Sequence, residues 1–152
     1  MALIVKKFGG SSVATPDKIK AVAKRVLQDK QPDDRVVVVV SAMGDSTDEL
    51  ISLAQAVTDR TYGREMDMLL ATGEQVSIAL LAMAFAEQGH QAVSLTGFQA
   101  GIRTSAVHGK ARITSIEPAR VLAELNEGKI VVVAGFQGIT ADGDITTLGR
   151  GG

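Results

Sequence analysis

Five consecutive valines, Val36 to Val40, limit what this chain can fold into more than any other stretch. β-Branched side chains favour extended backbone. The run does not alternate apolar with polar residues, so both of its faces must be buried. Strands of that kind belong to parallel sheets covered by helices on both sides. A parallel sheet needs more strands and crossover connections, and the sequence offers both. Ala2 to Val5 is an apolar run, Ala92 to Leu95 a short strand, and Ile130 to Ala134 another apolar, β-branched strand.

Helical patterns fill the intervals. In Pro16 to Lys30, residues Ile19, Val22, Ala23, Val26 and Leu27 form one apolar stripe. Thr15 suits the N-cap there and Pro16 the first helical position. Further helices are expected from about Thr47 to Thr58, from about Gly63 to Glu87 and from Pro118 to Asn126, the last ended by Gly128. Gly73 lies inside the third of these four, where glycine costs about 1 kcal/mol relative to alanine. A bend or break is expected at that point, and the segment beyond it is apolar nearly all round and expected to be buried. Thr96 to Ile116 is polar and glycine-containing, with Ala111-Arg112-Ile113 a candidate strand of a small sheet or hairpin. Ile139 to Thr147 reads as a hairpin around Asp142-Gly143. The order predicts an α/β fold with a mostly parallel central sheet and right-handed crossovers. The chain ends in a glycine-rich turn with no element after it, which reads as a stop inside a larger domain.

Composition removes several function classes. A chain of 152 residues can bury a real core. Its net charge is −1 and it has no basic stripe, which argues against nucleic acid as a partner. Few aromatics leave no stacking platform for single strands. Without cysteine, no disulfide framework, thiolate chemistry or metal site is expected. Lys6 and Lys7 interrupt any amino-terminal signal segment, and the longest apolar run, Ile78 to Ala86, is too short to span a membrane. A soluble cytoplasmic protein is the default reading. His90 and His108 have no partners at ligand spacing and read as solvated, and the five methionines read as core filler.

The chemistry concentrates at Val5-Lys6-Lys7-Phe8-Gly9-Gly10-Ser11-Ser12. Strand, glycine turn and helix start make the build of a phosphate site. Glycines let backbone N–H groups approach an anion, and the next helix N-terminus favours negative charge. Lys7 would add a mobile point charge. The lysine precedes the glycines, so this is neither a Walker A loop nor GxGxxG. Read alone, a Gly-Gly pair after a strand is more often only a turn.

Four segments resemble the aspartokinases of the amino-acid kinase superfamily in order and spacing. They are Lys7-Phe8-Gly9-Gly10-Ser11-Ser12, Val39-Val40-Ser41-Ala42-Met43, Thr72-Gly73-Glu74 and Thr146-Thr147-Leu148-Gly149-Arg150-Gly151-Gly152. The resemblance covers the whole chain. It implies a three-layer sandwich with a mostly parallel central sheet, incomplete here. Residues 1–152 would be the amino-terminal part of the kinase domain, without the nucleotide-binding half and the regulatory ACT domains. It also implies transfer of the ATP γ-phosphoryl to the side-chain carboxylate of L-aspartate, on the route to lysine, threonine and methionine. ATP and Mg2+ are the implied cofactors, and the full-length protein is expected to be an oligomer. Two departures stand out: Ser11 occupies a position where threonine is more usual, and the serine and aspartate that follow the glycine pair in the family are absent.

The roles that follow from the resemblance are these. Lys7 would be catalytic. Lys7, Phe8, Gly9, Gly10 and Ser41 would bind ATP. Ser41, Thr47, Glu74, Arg150 and Gly151 would surround aspartate, with Arg150 gripping a carboxylate in bidentate fashion and Glu74 accepting from the ammonium. Each has a plainer alternative. Lys7 could be a solvated strand end, Ser41 a turn, Thr47 a helix cap, Glu74 a surface residue and Arg150 a loop charge. Two other functions compete: a kinase for another acid, such as glutamate or N-acetylglutamate, and a non-catalytic fragment that binds phosphate or amino acid without turnover.

Overall fold

A computed structural model describes residues 1–149. Its central sheet has four parallel strands: β1 (Leu3–Phe8), β2 (Arg35–Val40), β3 (Ala92–Leu95) and β6 (Ile130–Ala134). The spatial order is β1-β2-β6-β3. The valine run of β2 lies inside the sheet, pairing with β1 from Leu3↔Arg35 to Phe8↔Val40 and with β6 from Val37↔Val131 to Val40↔Ala134. Alternate valines feed two cores. Val36, Val38 and Val40 join Ile130, Val132 and Ala134 beneath α1 (Pro16–Asp29) and α3 (Arg64–Glu87). Val37, Val131 and Val133 join Leu95, Ala100 and Leu125 on the other face, where α4 (Ala119–Asn126) packs on β6. Helix, sheet and helix give the expected three layers. Burying a valine in this way contributes on the order of 1.5–3 kcal/mol.

The cap of α1 is as the sequence predicts, with Thr15 Oγ1 accepting from Lys18 N at 3.2 Å. Between β1 and α1 the chain makes a short 3-10 turn, Gly10–Val13. A second helix, α2 (Ser46–Val57), buries none of its residues and rests on α3.

Four shorter strands form a second sheet, in the order β5-β4-β7-β8. They are β4 (Ile102–Thr104), β5 (Ile113–Ile116), β7 (Gln137–Ile139) and β8 (Ile145–Thr147). The hairpin around Asp142-Gly143 is present, with β7 antiparallel to β8. The strand expected at 111–113 begins at Ile113, and Ala111 instead bridges to Leu148.

Other expectations change. Helix α3 is continuous through Gly73, because that glycine answers a packing need described below. Its distal half is two-sided rather than fully buried: Ile78, Leu81 and Phe85 face the core, whereas Val76 and Met83 are 53% and 64% exposed. By length and composition α3 could cross a membrane, a property it shares with core helices. Of the methionines only Met43 packs against a core, while Met1, Met68 and Met83 are exposed. His90 is half-buried, its Nδ1 unpartnered among the described residues. His108 is partly buried and paired with Asp67, not solvated.

Candidate active site

All four central strands run the same way, so their carboxyl ends share one edge, where ligands of open α/β sheets bind. The turn after β1 and the turn after β2 are locked together there. Ser41 N donates to Phe8 O at 3.2 Å and Gly44 N to Gly10 O at 3.0 Å. A Cβ on Gly10 would stand 2.9 Å from Ala42 O, so only glycine permits this approach. Helix α3 comes to the same place: a Cβ on Gly73 would stand 2.9 Å from the Ala42 Cβ. Ser77 Oγ, one turn further along α3, donates to Ser41 O at 2.7 Å. Phe8, Gly10, Ser41, Gly73 and Glu74 therefore meet around Ala42, although they come from three separate stretches of sequence.

The adjacent lysines separate by strand alternation. Lys6 shares the face of Ile4 and Phe8, and its Nζ pairs with Asp29 Oδ2 of α1 at 2.9 Å. Lys7 leaves the opposite face with Leu3 and Val5, is exposed, and has no ion-pair partner among the described residues. Because α3 lies on the Lys6 face, a ligand meeting both Lys7 and Glu74 must sit across the strand ends. Thr47 is half-buried at the second position of α2. It is not the N-cap, a position held by Asp45, and its hydroxyl makes no hydrogen bond among the described residues. Arg150 and Gly151 lie outside the described residues.

Glu74 is 2% exposed, which excludes the surface-helix reading. Gln137 Nε2 donates to its Oε1 at 3.1 Å. Burial pushes its carboxyl up to about 7, against hydrogen bonds from Gln137 and from the backbone amides of Glu74 itself and Ala42, which favour the carboxylate. All of these partners are neutral. A cation placed beside Glu74 would restore the ionised form and gain a charge-assisted hydrogen bond.

Several polar residues at this end of the molecule escaped the sequence reading. Asp67, 1% exposed, accepts from Thr147 Oγ1 at 2.7 Å and from Gly109 N at 3.2 Å, and its Oδ2 lies 2.7 Å from His108 Nδ1. Thr104 and Thr146 pair through their hydroxyls at 2.6 Å. Gln137 is 4% exposed. One sequence signal pointed to Asp67: it sits at i, i+4, i+7 and i+11 spacing with Ala71, Glu74 and Ile78, so two acids share the apolar stripe of α3.

The carboxyl edge of the parallel sheet thus brings together a glycine turn and a buried acid. The amino acid kinase family profile matches residues 2–152, and the chain belongs to that family. Within it, the chain is 62% identical over its whole length to Aspartokinase 2 of Bacillus subtilis (strain 168), of which it covers 37%. An aspartate kinase crystal structure from Synechocystis superposes on 97% of the chain, and on 24% of its own, at 52% identity and a TM-score of 0.79. E. coli aspartokinase III in complex with aspartate and ADP superposes on all of the chain and 44% of its own, at 26% identity and a TM-score of 0.85. The chain thus corresponds to the amino-terminal part of curated aspartokinases and spans little more than a third of the length of the Bacillus subtilis relative.

Proposed function

We propose that these 152 residues are the amino-terminal part of an aspartate kinase whose remainder supplies the nucleotide-binding half and ACT domains. An oxygen of the L-aspartate side-chain carboxylate attacks the γ-phosphorus of ATP. The bond to the bridging oxygen breaks, ADP leaves, and 4-phospho-L-aspartate forms. No proton need move in that step. The protein's tasks are to hold two anions together and to neutralise charge spread over the transferred group. Lys7 and the N–H groups of Gly9 and Gly10 serve the second task, with Phe8 and Ser41 beside the nucleotide. Ser41, Thr47, Glu74, Arg150 and Gly151 serve the first. The observation that carries this reading is Glu74: a buried acid whose partners among the described residues are all neutral fits the ammonium of an amino acid.

Among the described residues no group of three or more His, Cys, Asp or Glu could hold a metal ion. Mg2+ binds substrate phosphates with few protein ligands, so it would arrive on ATP. The reading extends to a cytoplasmic, oligomeric full-length enzyme that opens the route to lysine, threonine and methionine.

Two measurements test it. The isolated 152 residues should release no ADP in response to aspartate, and aspartate-dependent turnover by them would defeat the claim that the remainder is needed. In the full-length enzyme Lys7→Ala should lower kcat far more than it raises the KM for aspartate, by roughly 2.7–4 kcal/mol, the scale of a lost oxyanion-hole donor. A kcat within about threefold of the native value, roughly 0.7 kcal/mol, would make Lys7 structural. A panel of glutamate and N-acetylglutamate in the same assay separates kinases for other acids.

A further inference from the structure

We infer that Gln137 is a positioning residue: its side-chain amide fixes the Glu74 carboxylate at the strand ends where the amino group of the acceptor is received. The inference rests on the reading of Glu74 given above and extends it to a buried residue that acts through Glu74.

The amide of Gln137 makes a hydrogen bond from each of its two ends. Its Oε1 accepts from Gly97 N at 3.0 Å. Its Nε2 lies 3.0 Å from Ala71 O and 3.1 Å from Glu74 Oε1. This arrangement fixes which end is which. Flipping the amide would set a donor against the Gly97 N–H and an acceptor against two acceptors. The Nε2 therefore must face Glu74, and it spans one turn of α3, from the Ala71 carbonyl to the Glu74 side chain.

The backbone is shaped to deliver that amide. Gln137 opens β7 directly after Phe136, whose φ of 68° is the one positive value of a non-glycine residue among those described. A left-handed conformation is strained for such a residue and persists only where its surroundings impose it. Here it falls where the chain leaves the central sheet after β6 and enters the second sheet. From the other side, Gly97 comes so close that a Cβ would stand 2.4 Å from the Gln137 carbonyl oxygen. Strand end β3, the β6–β7 turn and α3 thus converge on one buried amide. Gln137 is the only side chain on the described residues that bonds the Glu74 carboxylate.

A donor that acts through Glu74 should matter only while Glu74 is there. Aspartate and a non-hydrolysable ATP analogue are titrated into full-length enzyme carrying Gln137→Met, a near-isosteric change that removes the donor, alone and combined with Glu74→Gln. Gln137→Met should weaken aspartate binding about tenfold, leave the ATP analogue within about twofold, and raise the aspartate KM with kcat at saturation nearly unchanged. In the Glu74→Gln background the same change should add less than about twofold, since coupled residues are not additive. Should Gln137→Met fail to fold, Gln137→Asn, which keeps an amide but retracts it by one methylene, is read in the same cycle with the same expectation. Multiplicative effects of the two changes, or equal weakening of both ligands, would overturn the inference and leave Gln137 a structural residue. An unaltered aspartate affinity in Glu74→Gln alone would instead overturn the reading of Glu74.

Discussion

Asp67 and Glu74 are both acids, both buried, and two turns apart on the same stripe of α3. Their surroundings differ in one respect. The carboxylate of Asp67 is surrounded by donors, one from β8 and two from the loop that carries His108 and Gly109. These three contacts tie three chain segments together. Glu74 has neutral, partial satisfaction and a carboxyl pushed up to about 7. Burial alone therefore says little about the role of an acid. What separates a structural carboxylate from one poised for a ligand is how much of its hydrogen-bonding capacity the fold has used.

The sharpest way to break this contrast is to remove the first acid. Asp67→Ala strands the Thr147 hydroxyl, the Gly109 amide and the His108 ring nitrogen. Thr147 is buried, His108 partly so and Gly109 exposed, so at 1–3 kcal/mol for an unsatisfied buried group the expected loss of stability is about 3 kcal/mol. Denaturant unfolding measures it, and a loss under about 1 kcal/mol would show that the clasp is not formed in solution.

Glu74 should show the opposite sign. Its carboxyl holds a proton more tightly folded than unfolded, where its ordinary value is 4.5. Below pH 4.5 both states are protonated and the contribution to stability is fully present. As pH rises from 4.5 to about 7 the unfolded chain releases its proton first, and stability falls by about 3 kcal/mol at roughly 1.4 kcal/mol per pH unit. Glu74→Gln should flatten that part of the stability–pH curve and make the protein more stable above pH 7. A variant with the same pH slope as the native protein would mean that Glu74 ionises freely and is not desolvated.

Ligand affinity gives a smaller effect with the same logic. In the full-length enzyme Glu74→Gln should cost about 2 kcal/mol of aspartate binding, the scale of one hydrogen bond to a charged group, with ATP-analogue binding nearly unchanged. Equal losses for both ligands would move Glu74 from the amino-acid pocket to the fold or the phosphates. If Arg150 grips a carboxylate as proposed, Arg150→Lys should also weaken aspartate binding, because an ammonium cannot reproduce a planar two-pronged contact.

How much of this was legible in the sequence follows from the range of each interaction. The valine run, the α1 stripe and the Thr15 cap depend on near neighbours, and the structure keeps all three. The second sheet was only half visible, because β4 and β7 have three residues each and are held by partners far along the chain. Gly73 looked like a weak point in a helix, since nothing local shows that Ala42 will press against it. Glu74 was found through the Thr-Gly-Glu pattern. His108 and Gln137 belong to no local pattern, and Asp67 shows only as a second acid on the α3 stripe: their bonds join residues 40 to 80 positions apart.

The smallest expected effect applies the same criterion to cations. Lys6 is used up by Asp29, and Lys7 faces outward without an ion-pair partner among the described residues. Asp29 is held below its ordinary value first by the hydrogen bond from Lys6 and then by its charge. A depressed carboxyl stabilises above its unfolded value and loses that contribution as pH falls, so the pair should matter at neutral pH and fade in acid. Because it is solvent-exposed, salt should screen it and its removal should barely shift the unfolding midpoint. An NMR titration is the more sensitive readout: Lys6→Ala should let Asp29 return toward 3.8, whereas Lys7→Ala should leave it where it was. The same Lys6→Ala change should leave kcat untouched. If Lys6→Ala instead lowered kcat and Lys7→Ala moved Asp29, the two lysines would have exchanged roles. Spent hydrogen-bonding capacity would then no longer separate structural charges from functional ones in this protein.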